Sequence, residues 1–145
     1  MIRCPSPNLA RDLQPVWEDA PALVFVTDPA TGDDWAPVRA ELTEAFVLSQ
    51  QAAREGWPAV FVVDGDDLLG RNGPGRAMVA CGLLSAARTF AVENRKAGIP
   101  VNVLAVESTA DPAMVALWVE LLLRPGGPHG EVVRLGGDHL GKTLP

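Results

Sequence analysis

The chain has no tyrosine, only two histidines (His129 and His139) and only two cysteines (Cys4 and Cys81). The cysteines lie far apart and share no ligand spacing with the histidines, so no metal centre of the zinc type is expected. Positive charge is also scarce. Lys and Arg number 12 against 18 Asp and Glu, a net charge of −6. Neither nucleic acid nor an anionic membrane surface would be drawn to such a chain, and neither is expected as a partner. The opening stretch MIRCPSPNLARDLQ lacks an apolar core of signal-peptide length, and no run approaches a membrane span. A soluble, reducing, cytoplasmic setting is the expectation that follows. Low-complexity tracts and internal repeats are absent as well.

What is present describes a globular chain. Hydrophobic residues make up 48% and charged ones 21% of 145 residues, enough for one domain with a real core, spanning 1–145. Short Val-rich runs alternate with helical patterns. ALVFVT (22–27), WPAVFVVDG (57–65), VNVLAVE (101–107) and the weaker EVVRL (131–135) read as strands, with MIRC as a fifth. Continuous apolar runs of this kind suit strands covered on both faces, as in a parallel sheet. Helices are expected over 35–55, with Asp34 as N-cap, over 76–97, and over 111–124, where Asp111 caps and Pro112 opens the first turn. A short helix capped by Asn8 is expected before residue 20, and a tail over 136–145. The alternation predicts an α/β fold: a three-layer, mostly parallel sheet of four to five strands, helices on both faces and right-handed crossovers.

Four stretches invite a chemical reading. GGDHLGKT (136–143) has the spacing of a phosphate-binding loop in Gly136, Gly141, Lys142 and Thr143, but that loop needs a helix right after it, and a flexible tail is the plainer reading. DGDDLLG (64–70) sets Asp64, Asp66 and Asp67 at a strand's C-terminal end, as a divalent-ion pocket would, or as a turn with helix-capping acids would, the latter being expected. Cys81 lies inside the predicted helix among small residues and reads as a packed core or interface thiol. His129 and His139 flank the last strand in Gly-rich loops without an evident carboxylate partner.

RTFAVENRKAGIPVNVLAVES (88–108) carries a resemblance. With Ala91, Glu93, Gly98, Ile99, Val101 and Asn102 it resembles the A-x-E-x-x-x-x-G-I-x-V-N run of the short-chain dehydrogenase/reductase family. LVFVTDPA is then similar to that family's fourth strand and turn, 33–53 to the long helix after it, AVFVVDG to the strand that carries the catalytic serine, and HGEVVRLGGD to its closing segment. The resemblance covers roughly residues 20–138. It implies a Rossmann-like fold from which the first three strands are missing, apart from a remnant strand and helix in 1–20. It also implies that the catalytic positions have been replaced. The tyrosine and lysine places fall on Arg76 and Ala80, the serine on Asp64 or Gly65, and the helix asparagine on Glu41. A guanidinium does not deprotonate near neutral pH, so Arg76 cannot relay the proton that accompanies hydride transfer.

No glycine precedes Gly32, so the Gly-rich dinucleotide turn is missing and no cofactor is expected. The family's substrate lid is cut to about four residues between Glu107 and Asp111. In the family, the helices matching 35–55 and 76–97 pack against a second subunit, and the last helix makes a further contact. Helix 76–97 is rich in small residues, so other backbones can approach it closely. Leu42, Phe46, Met78, Leu83, Leu84, Phe90 and Trp118 are the candidate interface residues. The function implied is a non-catalytic subunit that assembles with a full-length active homologue. A homodimeric scaffold or ligand-binding protein is the alternative, and an enzyme whose site has moved to Asp64, Asp66, Asp67 and Arg76 a further one.

Overall fold

A computed structural model describes residues 1–18 and 21–137. Strands β1 (Ile2–Arg3), β2 (Leu23–Val26), β3 (Ala59–Asp64), β4 (Val101–Val106) and β5 (Val132–Leu135) form one sheet in sequential order, with every neighbouring pair parallel. Helices α1 (Pro7–Glu18), α2 (Trp35–Glu55), α3 (Gly65–Leu68), α4 (Pro74–Asn94) and α5 (Pro112–Leu123) connect them, and a 3₁₀ turn, Arg95–Ala97, extends α4.

The strands are apolar at successive positions because both faces are covered. Leu23, Phe25, Phe61, Val63, Val103 and Ala105 point to α2 and α4. Val24, Val26, Val60, Val62 and Leu104 point to α1 and α5. One polar side chain interrupts the run. Asn102 is wholly buried, yet its Nδ2 donates to the carbonyls of Leu122 and Pro128, and its Oδ1 accepts from the Glu131 N–H. A fully bonded amide inside a strand ties the end of α5 and the approach to β5 onto β4.

Several expectations are revised. The chain steps across the sheet in one direction, through parallel strands, yet α1 and α5 cross one face while α2 and α4 cross the other. Crossovers over opposite faces in such a walk must have opposite hands, so two of the four depart from the right-handed rule. The fifth strand expected at MIRC is present: β1 pairs along β2, with Ile2 opposite Val24, so the apolar edge of β2 is covered by the chain itself. Ser6, not Asn8, precedes α1, and its Oγ accepts the Leu9 N–H at 3.5 Å. Asp34 stands at the N-cap of α2 but makes no side-chain cap bond. Cys81 is exposed, so it is not a core thiol.

The start of α4 is fixed by glycine. A Cβ on Gly75 would lie 2.3 Å from the Gly32 carbonyl oxygen, and Gly73 has φ of 101°. Asp33 uses the closeness so gained: its Oδ1 accepts the Gly75 N–H at 2.8 Å, an N-terminal cap supplied from another part of the chain.

Candidate functional site

Ligand sites of open α/β sheets lie outside the carboxyl ends of the strands. Here β3 ends on Asp64, whose Oδ1 caps α3 by accepting the Asp66 N–H at 2.8 Å. α3 places Asp67, 2% exposed, beneath the first turn of α4. Arg76 donates to Asp67 Oδ2 through Nε (3.1 Å) and Nη2 (3.0 Å), and reaches Asp64 Oδ2 only at 3.4 Å. Asn72 Nδ2 donates to the other oxygen of Asp67 at 2.8 Å. Further out, Arg71 pairs with Asp66 at 2.7 Å on the exposed rim.

The structure thus brings together Asp64, Asp66, Asp67 and Arg76, but as ion pairs that satisfy one another. Among the described residues no group of three or more His, Cys, Asp and Glu is placed to hold a metal ion. Burial pushes the Asp64 carboxyl above the usual carboxylate range. The Asp66 N–H and the Arg76 charge pull it down, and the neighbouring Asp67 charge adds to the rise. A carboxyl raised in the folded state favours folding most when protonated, so its cost appears as pH rises through its folded value. Asp64→Asn keeps the capping oxygen. Thermal melts should therefore show the variant gaining on the native chain as pH rises above the ordinary carboxylate value of 3.8 towards neutrality, and holding that gain at pH 7. A constant difference over that range would show that Asp64 is not strained by burial.

Ala80 and Glu41 are equally committed. Ala80 is wholly buried in the core that α4 shares with the sheet. Glu41, 3% exposed, accepts from Arg3 Nη1 (3.2 Å), from the Asp28 N–H (2.8 Å) and from the Thr31 hydroxyl. Arg3 also donates to the Val26 carbonyl and to Glu44, and lies over the Phe25 ring. This network locks the 27–34 turn to α2 and β1, and sequence reasoning missed Arg3, Asp28 and Thr31. Their only signal was an arginine in a strand too short to read as one.

The resemblance makes β2 a fourth strand, and β1 stands where a doubly wound sheet puts its first. By that resemblance the turn from β1 into α1 would be the place for a dinucleotide's pyrophosphate. That turn reads Cys4-Pro5-Ser6-Pro7. It has no glycine for close approach, and two prolines remove N–H donors that a phosphate needs. The Leu9 N–H is already taken by Ser6. These residues do not fit the cofactor. Of the 136–143 run, only Gly136 and Gly137 fall among the described residues. A Cβ on Gly136 would collide with the Glu107 carboxyl, which accounts for that glycine by packing. His129 is placed against the end of α4, where its Nε2 bonds the Ala91 carbonyl at 2.8 Å; His139 lies outside the described residues.

The candidate interface residues divide. Leu83, Leu84 and Phe90 are buried in the core, because α4 turns them towards the sheet and α2. Leu83 and Phe90 also line the groove between α2 and α4. Phe46 (61% exposed) and Met78 (49%) are open, and Leu42 is half-buried. Leu42 and Phe46 line a groove of about 440 Å³ between α2 and α4, floored by Gly82 and Ala86. A Cβ on Gly82 would come within 2.8 Å of Leu42 Cδ2, so the glycine lets the two helices close up. Trp118 sits on the opposite face of the sheet, packed partly against the α1–α5 side. There α5 exposes Met114, Leu117 and Leu121.

No helix among the described residues is long and apolar enough to cross a membrane. No family model matches the sequence, and no curated protein matches it significantly. Among solved structures, the chain is similar to an oxidoreductase of the short-chain dehydrogenase/reductase family from Burkholderia thailandensis. The two share 17% identity at a TM-score of 0.64, over 88% of this chain and 68% of that one. The chain has a Rossmann-like α/β fold of the kind that oxidoreductase has.

Proposed function

We propose that this chain is a non-catalytic subunit of the short-chain dehydrogenase type, which docks through its α2–α4 face on an active member of that family and supports it. One observation carries the reading. The residue at the expected place of the catalytic tyrosine, Arg76, is spent on Asp67 and Asp64, so the reaction centre is filled by ion pairs. The α2–α4 groove adds support, because it leaves Phe46 in water, and Met78 on α4 is exposed as well. Exposed large apolar side chains around a concave surface are a common mark of a contact site.

A homodimer through the same face is the second reading. Met78 and Val92 are both exposed and lie seven positions on either side of Ser85, with Gly82, Ser85 and Ala86 small between them. A two-fold axis at Ser85 would set each Met78 against its mate's Val92, the self-complementarity that an isologous contact requires.

Co-expression with each full-length short-chain dehydrogenase of the source genome tests the first reading. Stoichiometric co-purification with one of them is expected, and it should be lost in Phe46→Glu while the circular dichroism spectrum stays unchanged. A folded monomer that binds none of them would refute the assembly. A dimer mass by light scattering for the chain alone would favour the second reading.

A further inference from the structure

A second concavity, about 290 Å³, opens at the carboxyl ends of β2, β3 and β4, between the first turns of α1 and α5. Its walls are Leu9, Val26, Val62, Val106 and Val115, and Asp64 stands at its rim with Arg76 beside it. The size is at the lower limit of small-molecule pockets, which run from about 300 to 1,000 Å³, and the pattern of apolar walls with few convergent polar groups is theirs. The charges are unequal. Two carboxylates, Asp64 and Asp67, share one guanidinium, and both short bonds of Arg76 go to Asp67, leaving Asp64 the 3.4 Å contact. Across the opening, Glu107 is matched by Arg134 at 3.2 Å. Of the two carboxylates Asp64 is therefore the more weakly paired, and it stands beside an apolar hollow.

We propose that this cleft binds a small organic amine, its apolar body against the valines and its ammonium on Asp64. A carboxylate ligand would meet the excess charge with its own and be repelled, and a neutral alcohol would gain only a hydrogen bond. The elevated carboxyl of Asp64 agrees with this geometry, since a cation placed there relieves a desolvated group. The cleft is separate from the proposed docking surface, because the α2–α4 groove lies over the opposite face of the sheet.

The test is an amide NMR titration of the full chain with cyclohexylamine, cyclohexanol and cyclohexanecarboxylate as probes. Cyclohexylamine should shift the Thr27, Asp64 and Ser108 amides saturably, with a Kd of about 1 mM, a usual range for a ligand of so few heavy atoms. Cyclohexanol should bind at least tenfold more weakly and the carboxylate not at all. Asp64→Asn should weaken the amine at least tenfold, and Ala110→Trp, which fills the opening, should abolish the shifts. Equal affinity for all three probes, undiminished binding to Asp64→Asn, or no saturation with the amine would each overturn the proposal. Should Ala110→Trp fail to fold, the Asp64→Asn comparison decides.

Discussion

Alanine at position 75 is expected to cost about 3 kcal/mol of stability, near the upper range for overpacking, and to lower Tm by roughly 10 °C. The new methyl would stand 2.3 Å from the Gly32 carbonyl oxygen and 2.8 Å from the Asp33 Cα. Both neighbours are backbone, so no side chain can swing aside. The collision also pries Asp33 from the Gly75 N–H and uncaps α4, the helix that brings Arg76 to the ion-pair cluster. Gly32 itself makes the control. A Cβ there meets nothing within 4 Å, and Gly32→Ala should change stability by less than about 0.5 kcal/mol. Urea melts of the two variants measure the contrast, and equal stabilities would refute the close approach.

Glu41→Leu is the second large effect. It leaves the Thr31 hydroxyl and the Asp28 N–H without their acceptor and strips Arg3 of its buried partner. Breaking a buried pair from one side costs about 3–5 kcal/mol. The lower end applies here, because Arg3 keeps the Val26 carbonyl and Glu44. Arg3→Met in the same chain should recover part of the loss, since a double replacement no longer strands a charge. A chevron or equilibrium cycle on the four proteins reads the coupling. Strict additivity of the two single losses would mean that Arg3 and Glu41 do not act together.

The layers of this fold are legible in the sequence because local chemistry marks them. Val-rich runs bounded by Pro and Gly identify β2, β3 and β4, and α2 begins and ends where the pattern predicts, at Trp35 and Glu55. The two-residue β1 and the four-residue α3 are too short to carry a period. The faces of α4 are hidden for a different reason: with alanine and glycine on every side, nothing in its pattern separates Leu83 and Phe90, which face the core, from Met78, which does not. The bonds that shape the candidate site are long-range. Asp33 and Gly75 are 42 residues apart, and Arg3 and Glu41 are 38 apart. Only packing brings them together. The resemblance could place Arg76 at the family's tyrosine position, but its commitment to Asp67 depends on where α3 sets that carboxylate.

The chain has a Rossmann-like fold of the kind that the similar oxidoreductase has. We propose that Arg76 and its carboxylates occupy the reaction centre and that the β1–α1 turn, with two prolines and no glycine, does not cradle a dinucleotide. The most direct measurement is a titration of the purified chain with NADH, followed by energy transfer from its four tryptophans. The account predicts no saturable signal up to about 1 mM, the upper end of ordinary enzyme–substrate affinities. Saturation below about 100 µM together with carbonyl-dependent oxidation of NADH, well inside the range of working enzymes, would contradict it.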